Sequence, residues 1–108
     1  MRRGQLFRIW RATATDPKAS RVYVIVSRPE FIESRYSTVI CAPVYSSYSG
    51  LASQVPVGLG EGLKHDSCIQ CDALLSIEKS RLTDYVGALG PEKIAALNRA
   101  LRIALDLD

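Results

Sequence analysis

An arginine opens the most apolar stretch of this 108-residue chain, RVYVIVSR (21–28), and a run of hydroxyls, YSS (45–47), closes another, STVICAPVY. A guanidinium presents five N–H donors in a planar fork that matches the oxygens of a phosphate, and Tyr45, Ser46 and Ser47 can donate to the same group. Asp16, His65, Asp66 and Asp72 supply further polar groups at expected strand ends. The chemistry this suggests is an oxyanion site centred on Arg21. The alternative is a solvated charge at a strand mouth, and residue types alone leave both open.

Other chemistry is missing from the sequence. It holds no P-loop, dinucleotide fingerprint, H-E-x-x-H or G-x-S-x-G pattern. The C-x-x-C of Cys68 and Cys71 lies in a strand-like segment, where positions an odd number apart point to opposite faces, so no metal site is expected there and the thiols read as small core residues. Three cysteines in all, with Cys41, do not make a disulfide framework. No cofactor is expected. His65, the only histidine, has a useful pKa range for acid–base work but sits in a turn, KHDS, where an exposed loop residue is the plainer reading.

The elements that must position these groups follow from pattern. Residues 5–10 (QLFRIW), 21–27 and 37–45 read as strands, the second covered on both faces and the third interrupted by Pro43 as a bulge or strand end. PEFIESRY reads as a short helical turn. QVPVGL reads as an edge strand, CIQCDALLSIEKSRL as one or two strands and TDYVGALG as the last. From Gly90 and Pro91, apolar residues at helical spacing (Ile94, Leu97, Leu101, Leu105) predict a helix reaching Leu107. Ala96, Ala100, Ile103 and Leu107 form a second stripe, explained by a partner copy or by deep seating in the chain's own sheet. Lys79, Arg81 and Lys93 read as a solvated face.

Strands followed by one strong helix define a mostly β or α+β layout, a small antiparallel barrel covered by a terminal helix. Nearly half the residues are apolar and the formal charge is +3, which fits a single globular domain over 1–108. Residues 1–35 carry eight basic and three acidic side chains, net +5, while the remainder is net −2. A basic half suits a polyanion or an acidic partner segment. Apolar runs are far shorter than a membrane span needs, and MRRGQLFRIWR lacks a signal-like apolar segment, so a cytoplasmic location is expected.

The order of MRRGQLFRIW, RVYVIVSR, STVICAPV, GLKHDSCIQCDALLSIEKSRL and VGALGPEKIAALNRALRIALDL resembles the MazF/PemK family of toxin endoribonucleases over nearly the whole chain. The resemblance implies an SH3-like barrel of the CcdB/MazF kind that forms a homodimer. It also implies metal-independent, sequence-selective cleavage of single-stranded RNA to 2′,3′-cyclic phosphate and 5′-hydroxyl ends, held in check by an antitoxin with an acidic disordered tail.

By position, Arg21 matches the family's catalytic arginine. Asp16 falls near a loop glutamate of relatives, as a base, an orienter of Arg21 or a plain turn residue. Tyr45 stands where relatives carry Thr or Ser, so either its phenol or the hydroxyl of Ser46 takes that part. Tyr45, Ser47, Lys18 and His65 are the expected RNA contacts. Ala73 and Leu75 replace polar groups common in relatives, which leaves a second reading open: a non-nuclease of the same fold, either a CcdB-like gyrase poison or an inactive antitoxin binder.

Overall fold

The computed structural model describes residues 1–10 and 19–108. Among the described residues, seven strands and two α-helices follow one another: β1 (Gln5–Trp10), β2 (Ser20–Ile25), α1 (Pro29–Ile32), β3 (Thr38–Tyr45), β4 (Gln54–Val57), β5 (Ser67–Gln70), β6 (Leu75–Glu78), β7 (Asp84–Ala88) and α2 (Pro91–Ala104). The strands form one antiparallel sheet in the order β4-β5-β3-β2-β1-β7, with β6 also on β3. The sheet curls because β3 takes two partners on one edge. Its first half pairs with β6 (Thr38↔Glu78 to Cys41↔Leu75) and its last residues with β5 (Val44↔Ile69, Tyr45↔Cys68).

Pro43 does not end β3. It pairs with Tyr23 of β2, and it lies between Cys41, the last residue on β6, and Val44, the first on β5. The residue without an amide donor therefore falls where that edge changes partner. β4 is an edge strand, as its own Pro56 requires.

Alternation along β2 builds two cores. Val22 and Val24 join Leu6, Ala42, Ile69 and Leu97 beneath α2, while Ile25 joins Phe7, Val39, Cys41, Ile77 and Leu82 on the other face. β2 is thus covered on both sides, as its unbroken apolar run predicts. Complete burial of Leu97 anchors α2 and contributes about 1.5–3 kcal/mol relative to an exposed side chain.

α2 begins as expected, with Gly90 at the cap and Pro91 at the first turn. It stops at Ala104, three residues before the predicted end. Asp106 takes φ 56°, and the Leu107 amide donates to the Arg102 carbonyl at 2.7 Å, closing the helix with a left-handed turn. The second stripe does not seat wholly in the chain's own sheet. Ala100 is buried, but Ile103 and Leu107 are 55% and 60% exposed.

At the other end of the chain, Arg3 donates to the Val26 carbonyl (3.0 Å) and to Asn98 Oδ1 (2.9 Å), tying the N-terminal segment to α2. Among the described residues no helix is long and apolar enough to cross a membrane.

Candidate functional site

β1 and β2 pair with Ile9 opposite Arg21, and β2 and β3 pair with Tyr23 opposite Pro43. Extending the second register by two residues sets Arg21 across from Tyr45. The side chains meet there: the Arg21 guanidinium carbon lies 4.5 Å from the Tyr45 ring centroid, well inside cation–π range. Arg21 remains exposed and Tyr45 is half-buried. The stack holds the guanidinium against a strand while its donors stay accessible, which a freely solvated charge would lack. An exposed cation–π pair is worth about 0.5–1 kcal/mol, enough to bias a rotamer without locking it.

This pair forms a ridge between two open hollows. The first, about 570 Å³, is lined by Ile9, Trp10, Tyr23, Leu75 and Arg81 along with the ridge. The second, about 390 Å³, is lined by Arg8, Ser46, Ser47, Lys64 and His65 along with the ridge. Arg21, Tyr45 and Ser20 belong to both. Arg8, Arg21, Lys64 and Arg81 bring four cations to this surface, and among the described residues no Asp or Glu lines either hollow. Such a surface favours an anion long enough to touch both sides of the ridge.

The sequence-predicted residues divide accordingly. Arg21, Tyr45, Ser46, Ser47 and His65 are brought together around the ridge and the second hollow. β3 ends at Tyr45, and Ser46 and Ser47 follow beyond the strand, so both reach the same hollow although strict alternation would have separated them. The Ser47 carbonyl accepts from the Cys68 thiol at 3.1 Å, which fixes this segment against β5.

Asp72 is not part of the groove: its carboxylate accepts from Ser53 Oγ. Asp66 lies outside the hollow linings too, in the turn where Ser67 Oγ donates to the His65 carbonyl at 3.2 Å. Asp16 and Lys18 lie outside the described residues.

Sequence reasoning missed Trp10, Arg8, Lys64 and Arg81. Trp10 was legible only as part of the first predicted strand; it sits at the strand's end and is 52% exposed. Arg81 was assigned with Lys79 and Lys93 to a solvated face. The structure separates them, because Lys79 Nζ donates to the Ser34 carbonyl (2.7 Å) and Lys93 Nζ to the Pro56 carbonyl (2.5 Å), while Arg81 faces the first hollow. Only the pairing of β6 with β3, a non-local fact, reveals the difference.

The cysteines lie beneath this surface as buried free thiols. Burial pushes Cys41 up to about 12; burial, with the adjacent Asp72 carboxylate adding to it, pushes Cys71 up to about 11. Burial raises Cys68 as well, opposed by a backbone hydrogen bond at Tyr45.

A curled antiparallel sheet closed by a C-terminal helix is the architecture of known toxins. The chain superposes on the Mycobacterium tuberculosis toxin MazF-mt6 with a TM-score of 0.81 at 28% identity, covering 96% of this chain and 98% of that one. It shares its fold, at 22% identity and a TM-score of 0.84, with a mycobacterial endoribonuclease solved in complex with its cognate antitoxin, over 100% of this chain and 97% of the other. In sequence it is 32% identical to endoribonuclease MazF3 of M. tuberculosis over 85 residues, 79% of this chain and 82% of the relative. Residues 2–105 match the family of PemK-like, MazF-like toxins of type II toxin–antitoxin systems, and the chain belongs to that family.

Proposed function

We propose that this toxin is an endoribonuclease that lays single-stranded RNA across the two hollows, with the scissile phosphate at Arg21. The observation that carries the reading is the Arg21 guanidinium stacked on Tyr45 at the junction of two cationic hollows that, among the described residues, no Asp or Glu lines. In the proposed reaction the 2′-oxygen attacks the adjacent phosphorus and the P–O5′ bond breaks, leaving a 2′,3′-cyclic phosphate and a 5′-hydroxyl. Arg21 neutralises the charge that builds on the non-bridging oxygens. A guanidinium is a permanent cation, which suits electrostatic stabilisation better than proton donation.

Ser46 or the Tyr45 phenol donates to the same oxygens, and Asp16 is the candidate acceptor of the 2′ proton. Water returns a proton to the departing 5′-oxygen. Ser47, Lys18 and His65 are assigned to RNA binding. The exposed Ile103 on α2 and Leu107 just beyond its end support a homodimer, and the cationic groove supports an antitoxin whose acidic tail competes with RNA, in the cytoplasm.

Incubation with single-stranded RNA in EDTA, followed by end-group analysis, tests the proposal. The expected products accept phosphate from polynucleotide kinase directly at their 5′ ends and carry cyclic phosphate at their 3′ ends. Intact RNA, or 5′-phosphate products, would overturn it.

A further inference from the structure

We propose that Trp10 is the stacking platform for an unpaired base next to the phosphate held at Arg21; the inference rests on the RNA-cleavage reading above. Trp10 ends β1 with half of its surface exposed, in a place that is concave and not a convex patch. Its orientation is fixed from another strand: the indole N–H donates to Asp84 Oδ2 at 3.0 Å, where β7 begins. Phe7, three residues before Trp10, and Tyr85, one after Asp84, meet edge to face with centroids 5.7 Å apart and stiffen the same β1–β7 junction. A ring held by its polar edge keeps its faces for other contacts, and Arg8 lies over it only loosely, 5.9 Å from the centroid.

The surroundings fit a base. The hollow of about 570 Å³ falls within the roughly 300–1,000 Å³ of small-ligand sites. Tyr23 and Leu75 supply apolar walls and Arg81 a cation at the rim. Among the described residues the second hollow, lined by Arg8, Lys64, His65 and hydroxyls, has no indole, and its one phenol ring is Tyr45 on the ridge, so it suits the sugar–phosphate backbone. The strand therefore enters with a base against Trp10 and leaves along the polar side. Stacking tolerates any base but requires it to be unpaired, so this platform selects single-stranded RNA.

Trp10 is the only tryptophan in the chain, so its emission reports on this contact alone. The probe is a dye-labelled, uncleavable 2′-O-methyl oligoribonucleotide, with anisotropy reading binding and indole emission reading stacking. Binding is expected to quench Trp10. An abasic nucleotide at one register removes the quench and weakens binding about 10-fold. Trp10→Ala is expected to weaken the intact oligonucleotide by a similar factor and leave the abasic one unchanged, while Trp10→Phe keeps most of the affinity.

A merely structural tryptophan would weaken both oligonucleotides equally, which would overturn the inference. So would binding with unaltered indole emission, and that result would leave the RNA reading standing. Absence of binding to any single strand would remove the RNA reading and the platform with it.

Discussion

The two hollows beside Arg21 share walls from β1, β2 and β3 yet differ in chemistry. One side carries an indole, a phenol ring, a leucine and one arginine; the other carries two cations, a histidine and paired serines. Their difference arises from what ends each strand. β1 ends on Trp10, and β3 ends on Tyr45 with Ser46 and Ser47 continuing past it. A strand end is where side chains escape the sheet's alternation, so a small fold can place unlike groups on either side of one arginine. On the proposed reading this is a division of labour: one hollow offers stacking area for a base, the other hydrogen bonds and charge for a backbone.

Removing the divider should have the largest effect. Arg21→Ala is expected to lower the cleavage rate by roughly 100–1,000-fold, the range for losing a preorganised donor to a developing oxyanion, read as initial rates on a single-stranded substrate. Next comes a change to the shape of the polar side. Gly87 of β7 packs against the turn at Leu59–Glu61, and a Cβ there would collide with the Glu61 carbonyl, which is backbone and cannot swing away. That turn leads into Leu63, Lys64 and His65, the wall of the second hollow. Gly87→Ala is expected to destabilise the protein by about 1–3 kcal/mol, measured by urea unfolding, and to weaken RNA binding with it.

Charge removal sharpens the contrast further. The double variant Arg8→Ala/Lys64→Ala should reduce the slope of log affinity against log salt by about 1–2, with little dependence on base identity. Equal sensitivity to an abasic substitution before and after this change would fit phosphate contacts; altered base dependence would erase the distinction between the hollows.

The ridge itself gives smaller effects. Tyr45→Phe keeps the ring beneath Arg21 and removes the hydroxyl, so a rate within a few-fold of the parent assigns the donor role to Ser46. A fall as large as that of Ser46→Ala would assign it to Tyr45 as well.

The smallest effect at neutral pH belongs to the core beneath. Cys41 and Cys71 keep their protons to about 12 and 11 in the folded chain, whereas unfolded thiols ionise near the ordinary 9.0. Above pH 9 the unfolded state therefore binds fewer protons, and stability falls as pH rises from about 9 toward 11. Urea midpoints from pH 7 to 10.5 should decline over that window, and less steeply in Cys41→Ala.

What could be read from residues alone follows the range of the interactions involved. β1, β2 and the start of α2 are local patterns, alternation in one case and a Gly-Pro cap with helical spacing in the other, and they appear where expected. Arg21 was legible because a cation beside a continuous apolar run is a local anomaly. Trp10 and Arg81 were not, because an aromatic in an apolar strand looks like core until its neighbours are known, and a basic cluster looks solvated until β6 is docked on β3. The end of α2 was overestimated because Leu105 and Leu107 continue the apolar spacing after the left-handed turn at Asp106 has closed the helix.

The central claim is that a guanidinium fixed at position 21 stabilises a charged phosphoryl transition state. The most direct measurement compares single-turnover cleavage by the parent, Arg21→Lys and Arg21→Ala in EDTA, alongside affinity for an uncleavable oligonucleotide. The account predicts a rate loss of at least about 100-fold for Arg21→Ala with affinity falling less than 10-fold, and partial recovery in Arg21→Lys, whose point charge lacks the fork. Undiminished cleavage by Arg21→Ala, or a rate loss no greater than the loss of binding, would contradict it.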